Sequence, residues 1–330
     1  MLIDVHAHQY PDVYLDAVRH PDSGLEHYIR DDGRLVVRQD GAVSLAVPQP
    51  QPSFEERLRL MDATGVRTQA LSIPAPNVYR LPDAVRTDVT RGVNDAFVEA
   101  AEQYPGRFVV LASLPLPDVD ASLTELERVR SIERVSGVAI CTTIDRRPLD
   151  DPAFAPLFTE LARTATTVFV HPTTACCTDG LTDYALALGI DYLAETTLAV
   201  ARLTYSGSFD RYRGISWIFS HLGGTVPFLL HRFDNYFGQF PECREHIDTK
   251  PSEILKRVYF DTVSTHPPAM RCAFETFGAG QFVFGTDYPH VPGGLDVFVD
   301  TLRSIGLSDE DAALVEHETA ARLLGIDAAT

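Results

Sequence analysis

What most constrains this chain is an alternation. Short apolar runs, each followed by a longer stretch with helical spacing, recur eight times, at 2–6, 68–73, 107–111, 137–140, 167–170, 215–219, 258–261 and 282–284. Most of the runs are continuously apolar, the pattern of strands buried on both faces. Strands of that kind separated by helices form parallel sheets, because parallel neighbours need a crossover long enough to hold a helix. Eight such units predict an α/β fold, a closed (β/α)8 TIM-like barrel. An open doubly wound sheet competes with it, but no glycine-rich phosphate fingerprint follows the first run. A chain of 330 residues, 45% hydrophobic, suits one such barrel, so a single domain over 1–330 is expected.

The rhythm breaks once. Between about residues 25 and 47, Leu35-Val-Val37 and Val43-Ser-Leu-Ala-Val47 flank the turn pair Asp40-Gly41, which predicts a small β insertion after strand one. Pro48, Pro50 and Pro52 lead on to a helix that Ser53 and Glu56 would start as a capping box and Gly65 would end. Further helices are expected at 83–104, from 118, and at 151–163, 182–205, 225–236 and 269–277. Two more, at 296–305 and 309–324, finish the chain.

Barrel chemistry gathers at the carboxyl ends of the strands. Strand one delivers His6 and His8, which alternation places on the same face, where two imidazoles can share a metal ion. Strand five delivers His171, strand six His221 and strand eight Asp287. Each has an ordinary explanation by itself: a loop histidine before Pro172, a histidine starting a helix, an aspartate capping one. Together they set imidazoles and a carboxylate around one rim, a donor set for a divalent ion with room for water.

These residues resemble the amidohydrolase superfamily, and within it the decarboxylase branch typified by aminocarboxymuconate-semialdehyde decarboxylase. The matching stretches are Ile3-Asp-Val-His6-Ala-His8, Met61-Asp62 with Gly65-Val66, Val170-His171-Pro172, Ala194-Glu195-Thr196, Ser206-Gly207, His221 with Gly223-Gly224, Pro227, Arg232 with Asp234-Asn235, and Phe284-Gly-Thr-Asp287-Tyr-Pro289. They span nearly the whole chain. His171-Pro-Thr-Thr174 is also similar to the methylsalicylate decarboxylases of that branch. Hydratases and lactonases share much of the pattern. The resemblance implies that His6, His8, His171 and Asp287 ligate the metal and that His221 is the catalytic histidine beside it. Proton transfer would involve His221 or Asp287. It also implies that Arg232 reaches a neighbouring subunit's site to bind substrate carboxylate, which makes a homodimer the expected assembly.

Binuclear members of the superfamily bridge two ions with a carbamylated lysine, usually at the end of strand four. Here that strand ends Ile140-Cys141-Thr142, and the only lysines are Lys250 and Lys256, so one ion is expected. An imidazole-rich set favours zinc, with manganese the alternative, and no organic cofactor is implied. Two departures bear on the substrate. Leu45 stands where the prototype's insertion carries a substrate-binding arginine, leaving Arg34 or Arg38 to substitute. His290 stands where the prototype has an aromatic, and would add a donor over the substrate.

The expected reaction is non-oxidative loss of carbon dioxide from a small aromatic or unsaturated carboxylic acid. The alternative is metal-dependent hydrolysis or hydration of a lactone, amide or ester. A purely structural metal site would have little use for the uncoordinated His221. A net charge of −18 makes nucleic acid and anionic membranes poor partners. No apolar run is long enough to span a bilayer and no signal peptide is visible, so a cytoplasmic location is expected. Cys141, Cys176, Cys177, Cys243 and Cys272 follow no paired spacing and read as reduced thiols.

Overall fold

The computed structural model describes residues 1–174, 178–290 and 294–326. Eight parallel strands form one sheet in chain order: β1 Leu2–His8, β2 Val66–Ser72, β3 Phe108–Ala112, β4 Val135–Cys141, β5 Thr167–His171, β6 Ser216–Phe219, β7 Tyr259–Asp261 and β8 Phe282–Val283. The ring closes just past β8, where the Val5 N–H donates to the Phe284 carbonyl at 2.9 Å and Ala7 bridges Tyr288. Each apolar run of the sequence is a barrel strand, and the TIM-like expectation holds.

Ile3, Val5, Ala70, Leu111, Ala139, Phe169, Ile218 and Val283 form one buried cluster with Ala320, Ala321, Leu323 and Leu324. A cluster drawing on seven strands of a ring can only lie inside it. The last helical segment, Thr319–Leu324, plugs the amino end, where Thr167 at the start of β5 donates to the Leu323 carbonyl. The carboxyl end is left for chemistry.

Among the described residues a helix follows each strand in turn: α1 Phe54–Thr64, α2 Asp83–Gln103, α3 Val119–Val129, α4 Ala155–Arg163, α5 Tyr192–Tyr205, α6 Val226–Gln239, α7 Pro267–Phe277 and α8 Asp296–Ser304, with a further short helix, Asp12–Arg19, between β1 and the insertion. Their apolar stripes make the larger core; on α2 the buried residues Val89, Val93, Phe97 and Ala100 recur at helical spacing. Ser53 and Glu56 form the expected capping box on α1. From α1, fully buried Arg57 reaches the His8 carbonyl and the Gln9 and Gln69 side-chain oxygens, and its guanidinium lies 4.7 Å from the Tyr288 ring centre. Those acceptors and the aromatic face offset the desolvation of its charge and tie α1 to both ends of the site.

The insertion holds three antiparallel strands, Glu26–Ile29, Leu35–Gln39 and Ala42–Val47. The sequence marked the second and third; the first is exposed along its length and carries no apolar alternation. Asp40 and Gly41, with φ of 51° and 80°, make the tight hairpin turn their pairing predicts.

One helix starts later than its composition suggests. The expected helix at 182–205 begins with the π-helical turn Ala187–Asp191 and continues as α5, because Tyr184 and Ala185 both take left-handed backbone angles of 55°. Alanine and leucine content does not reveal such a break. Cys141 is a buried free thiol and Cys243 and Cys272 are also free, while Cys176 and Cys177 lie outside the described residues. Among the described residues no helix is long and apolar enough to cross a membrane.

Candidate metal centre and active site

Strand β1 builds half of the centre, and it does so with an irregularity. Ile3 and Val5 belong to the inner cluster, whereas the Asp4 carboxylate accepts from Gln69 at 2.8 Å, a residue that Arg57 holds from the helix layer. The pairing of β1 with β2 slips between Asp4 and Ala7. A bulge there changes the phase of the strand, so that His6 and His8 follow Val5 inward. Asp4 fixes the bulge by accepting from the His6 N–H at 3.1 Å and from the Thr286 hydroxyl at 2.7 Å. Burial pushes the Asp4 carboxyl up to about 6.

The side chains expected at the rim converge. His6 Nε2 and His8 Nε2 lie 2.9 Å apart, and each stands 3.1 Å from Asp287 Oδ1. His221 Nε2 is 3.6 Å from Asp287 Oδ2. Ligand-type atoms of His6, His171, His221 and Asp287 all fall within 4.8 Å of one another, as do those of His8, Asp287 and His290. The opposite ring nitrogens are engaged: His6 Nδ1 with Asp261 Oδ2 at 2.6 Å, His8 Nδ1 with the Ser72 hydroxyl at 3.1 Å, and His171 Nδ1 with the Pro172 carbonyl at 2.7 Å. A carbonyl only accepts, so neutral His171 carries its proton on Nδ1 and offers the Nε2 lone pair.

The electrostatics suit a cation. Burial lowers His8 to about 3 and holds His171 well below the ordinary histidine value, so both are neutral donors. Burial also opposes charge on His6, but Asp287 and Asp261 outweigh it and raise His6 to about 10. Asp287 is the mirror case: burial would lift it, yet His6 charge and hydrogen bonds from His221, His6 and His8 hold it well below the usual carboxylate range. Its Oδ1 is buried, and the Nε2 atoms of His6 and His8 both face it at 3.1 Å. Lone pairs and a carboxylate oxygen crowded on one point fit a divalent ion.

The centre opens into a cavity of about 510 Å³. Its walls include Leu45, Pro74, Ala75, Leu188 and Tyr192, with Arg30 and Arg34 from the insertion also lining it. Leu45 is thus at the cavity where an arginine was expected. Arg34 is present there; Arg38 instead donates to the Gly41 carbonyl in the hairpin turn. His290 lines the cavity and its Nε2 meets the Tyr10 hydroxyl. Arg232 is not brought to this chain's cavity; it is exposed on α6, with its guanidinium 4.7 Å from the Tyr236 ring centre. Asp261 and Ser72, absent from the residues expected at the rim, also end barrel strands, so the positional rule that marks His8 and His171 marks them too.

Helices around eight parallel strands, with a donor set able to hold a metal ion at their carboxyl ends, define an α/β barrel with its candidate site at the usual rim. The Amidohydrolase family matches residues 3–326, and the chain belongs to that family. It is 26% identical to a 2-amino-3-carboxymuconate-6-semialdehyde decarboxylase of Dictyostelium discoideum, over 89% of this chain and 83% of the relative. It is 30% identical to a 6-methylsalicylic acid decarboxylase of Penicillium expansum, over 78% and 82% respectively. Among solved structures, 5-carboxyvanillate decarboxylase of Sphingomonas paucimobilis superposes with a TM-score of 0.85 at 25% identity, covering 99% of both chains. A dihydroxybenzoic acid decarboxylase of Polaromonas, solved with manganese and 2-nitroresorcinol, shares the fold with a TM-score of 0.81 at 22% identity, covering 98% of this chain and 97% of its own. These relatives side with the carboxy-lyase expectation over the hydrolase or hydratase alternative.

Proposed function

We propose that this chain is a metal-dependent, non-oxidative decarboxylase of a small aromatic or unsaturated carboxylic acid. One observation carries this reading: a buried imidazole–carboxylate cluster opens directly into an apolar-walled cavity that also presents Arg34. His6, His8, His171 and Asp287 would hold one divalent ion, zinc by donor type or manganese as in the Polaromonas relative. When bound, such an ion draws negative charge onto the oxygens of an acid.

The chain's own residues supply the rest. Leu45, Pro74, Ala75 and Leu188 fit the flat faces of an unsaturated acid and keep water from its carbon. Decarboxylation needs a proton to add at the carbon that bears the carboxylate. The bond to the carboxylate carbon then breaks, its electron pair stays with the skeleton to restore the unsaturation, and carbon dioxide leaves. His221, beside Asp287 and lining the same cavity, is placed to hold and deliver that proton. Purified protein should release carbon dioxide from one or more members of a panel of hydroxybenzoic and dienoic acids. Hydrolysis of lactones or esters, with no carbon dioxide from any acid, would favour the alternative.

Arg34 is the natural partner for a second polar or anionic group on the substrate, since it lines the cavity, where its other contacts are the long ones to Asp32 at 3.7 Å and the Ala46 carbonyl at 3.4 Å. Arg34→Ala should raise KM about tenfold with a smaller effect on kcat, the scale of one charge-assisted hydrogen bond. An unchanged KM would remove Arg34 from substrate binding.

A homodimer completes the proposal. One helical turn before Arg232, Phe228 is 82% exposed on the same side of α6. An exposed ring beside an arginine free of this chain's cavity fits a subunit contact through which Arg232 serves the partner's site. Sedimentation should give a dimer, and Arg232→Ala should raise KM; a fully active monomer contradicts this arrangement.

A further inference from the structure

Asp261 ends β7 fully buried, and each of its oxygens has work at the centre. Oδ2 lies 2.6 Å from His6 Nδ1. Oδ1 accepts from the main-chain N–H of His221 at 2.7 Å and from that of Val263 at 2.9 Å. The two histidines it touches have different duties in the proposed reaction, one toward the metal and one toward the proton. Their ring centres are 5.3 Å apart.

Toward His6 the carboxylate decides which nitrogen carries the proton. An ionised carboxylate only accepts, so it fixes the proton on Nδ1 and leaves the Nε2 lone pair for a cation. Gly285 packs against both residues: a Cβ there would lie 3.0 Å from the Cβ atoms of Asp261 and His6. Toward His221 the carboxylate holds a strained backbone. His221 and Leu222 have φ of 56° and 57°, followed by Gly223 at 75° and Gly224 at 65°. A side chain at Gly223 would meet the Phe260 ring at 2.6 Å, so the turn beside His221 packs closely on Phe260 and admits only glycine there. Non-glycine residues stay in the left-handed region only where their surroundings over-determine them, and the Oδ1 bond is one such constraint.

We infer that Asp261 is a positioning residue that sets the ligand tautomer of His6 and the backbone of His221 through one carboxylate, so that metal site and proton donor are locked together. This rests on the metal-dependent reading above. Asp261→Asn isolates it. The amide oxygen can serve the two main-chain donors as Oδ1 does, but the NH2 then faces His6 Nδ1 and drives the proton to Nε2, where no lone pair remains for a metal.

The test measures zinc and manganese affinity by chelator competition, thermal unfolding of the metal-free proteins, and steady-state kinetics at saturating metal. Asp261→Asn should bind metal about 10- to 100-fold more weakly, with metal-free unfolding within about 2 °C of wild type and kcat lowered more than KM is raised. A second measurement needs no variant: in ¹⁵N-histidine spectra of zinc-loaded wild type, His6 should carry an exchange-protected proton on Nδ1. Variant affinity within twofold of wild type, or a His6 without the Nδ1 proton, overturns the inference alone. A wild-type chain that binds neither ion overturns both this inference and the proposed function.

Discussion

His221→Ala is expected to lower the rate of carbon dioxide release by about 10²- to 10⁴-fold, the usual contribution of a positioned proton donor, while metal stays bound. His221 shares a cluster with His6, His171 and Asp287 within 4.8 Å, so measuring metal and activity in the same variant is what distinguishes its role. The shared point at Asp287 Oδ1 is reached by His6 Nε2 and His8 Nε2 at 3.1 Å each, whereas His221 Nε2 stands 3.6 Å from the other oxygen of that carboxylate. Elemental analysis of the purified variant beside its kinetics checks this. One equivalent of metal with activity nearly gone is the expected pair of results. Loss of the metal along with the activity would place His221 among the ligands instead.

Asp287→Asn should do the opposite, removing metal and activity together. The carboxamide keeps the shape but loses the charge that both His6 and His8 face, and charge stabilisation at such a site is worth several kcal/mol, or on the order of 10³-fold in rate. Wild-type protein stripped by a chelator should be equally inactive and should recover when zinc or manganese is returned. Whichever ion restores the higher kcat at one equivalent identifies the working metal. A stripped protein that keeps its activity would refute the metal-dependent account.

The sequence made the barrel legible because the rule that builds it is local. Continuous apolar runs such as Val168-Phe-Val170 are buried on both sides, and the helices between them repeat at their own period. The rim was legible for a related reason: His8 and His171 end their strands, and His221 and Asp287 follow theirs closely, at the one edge where side chains can converge. What escaped is information that no local period carries. The bulge between Asp4 and Ala7 arises from pairing with β2, and the role of Asp261 depends on a residue 255 positions away. The exposed first strand of the insertion, Glu26–Ile29, is held by its neighbour rather than by its own pattern. The left-handed pair Tyr184 and Ala185 delays the start of a helix that composition alone would begin earlier.

In the proposed reaction the carbon bearing the carboxylate loses carbon dioxide and gains a proton at this site. Turnover of an accepted aromatic acid in heavy water tests it most directly, with product examined by mass spectrometry and proton NMR. One deuterium is expected on the carbon that lost its carboxylate and one carbon dioxide per product, with both slowed to the same extent in His221→Ala. A product that keeps its carboxylate and has gained the elements of water would contradict it and make the protein a hydrolase or hydratase.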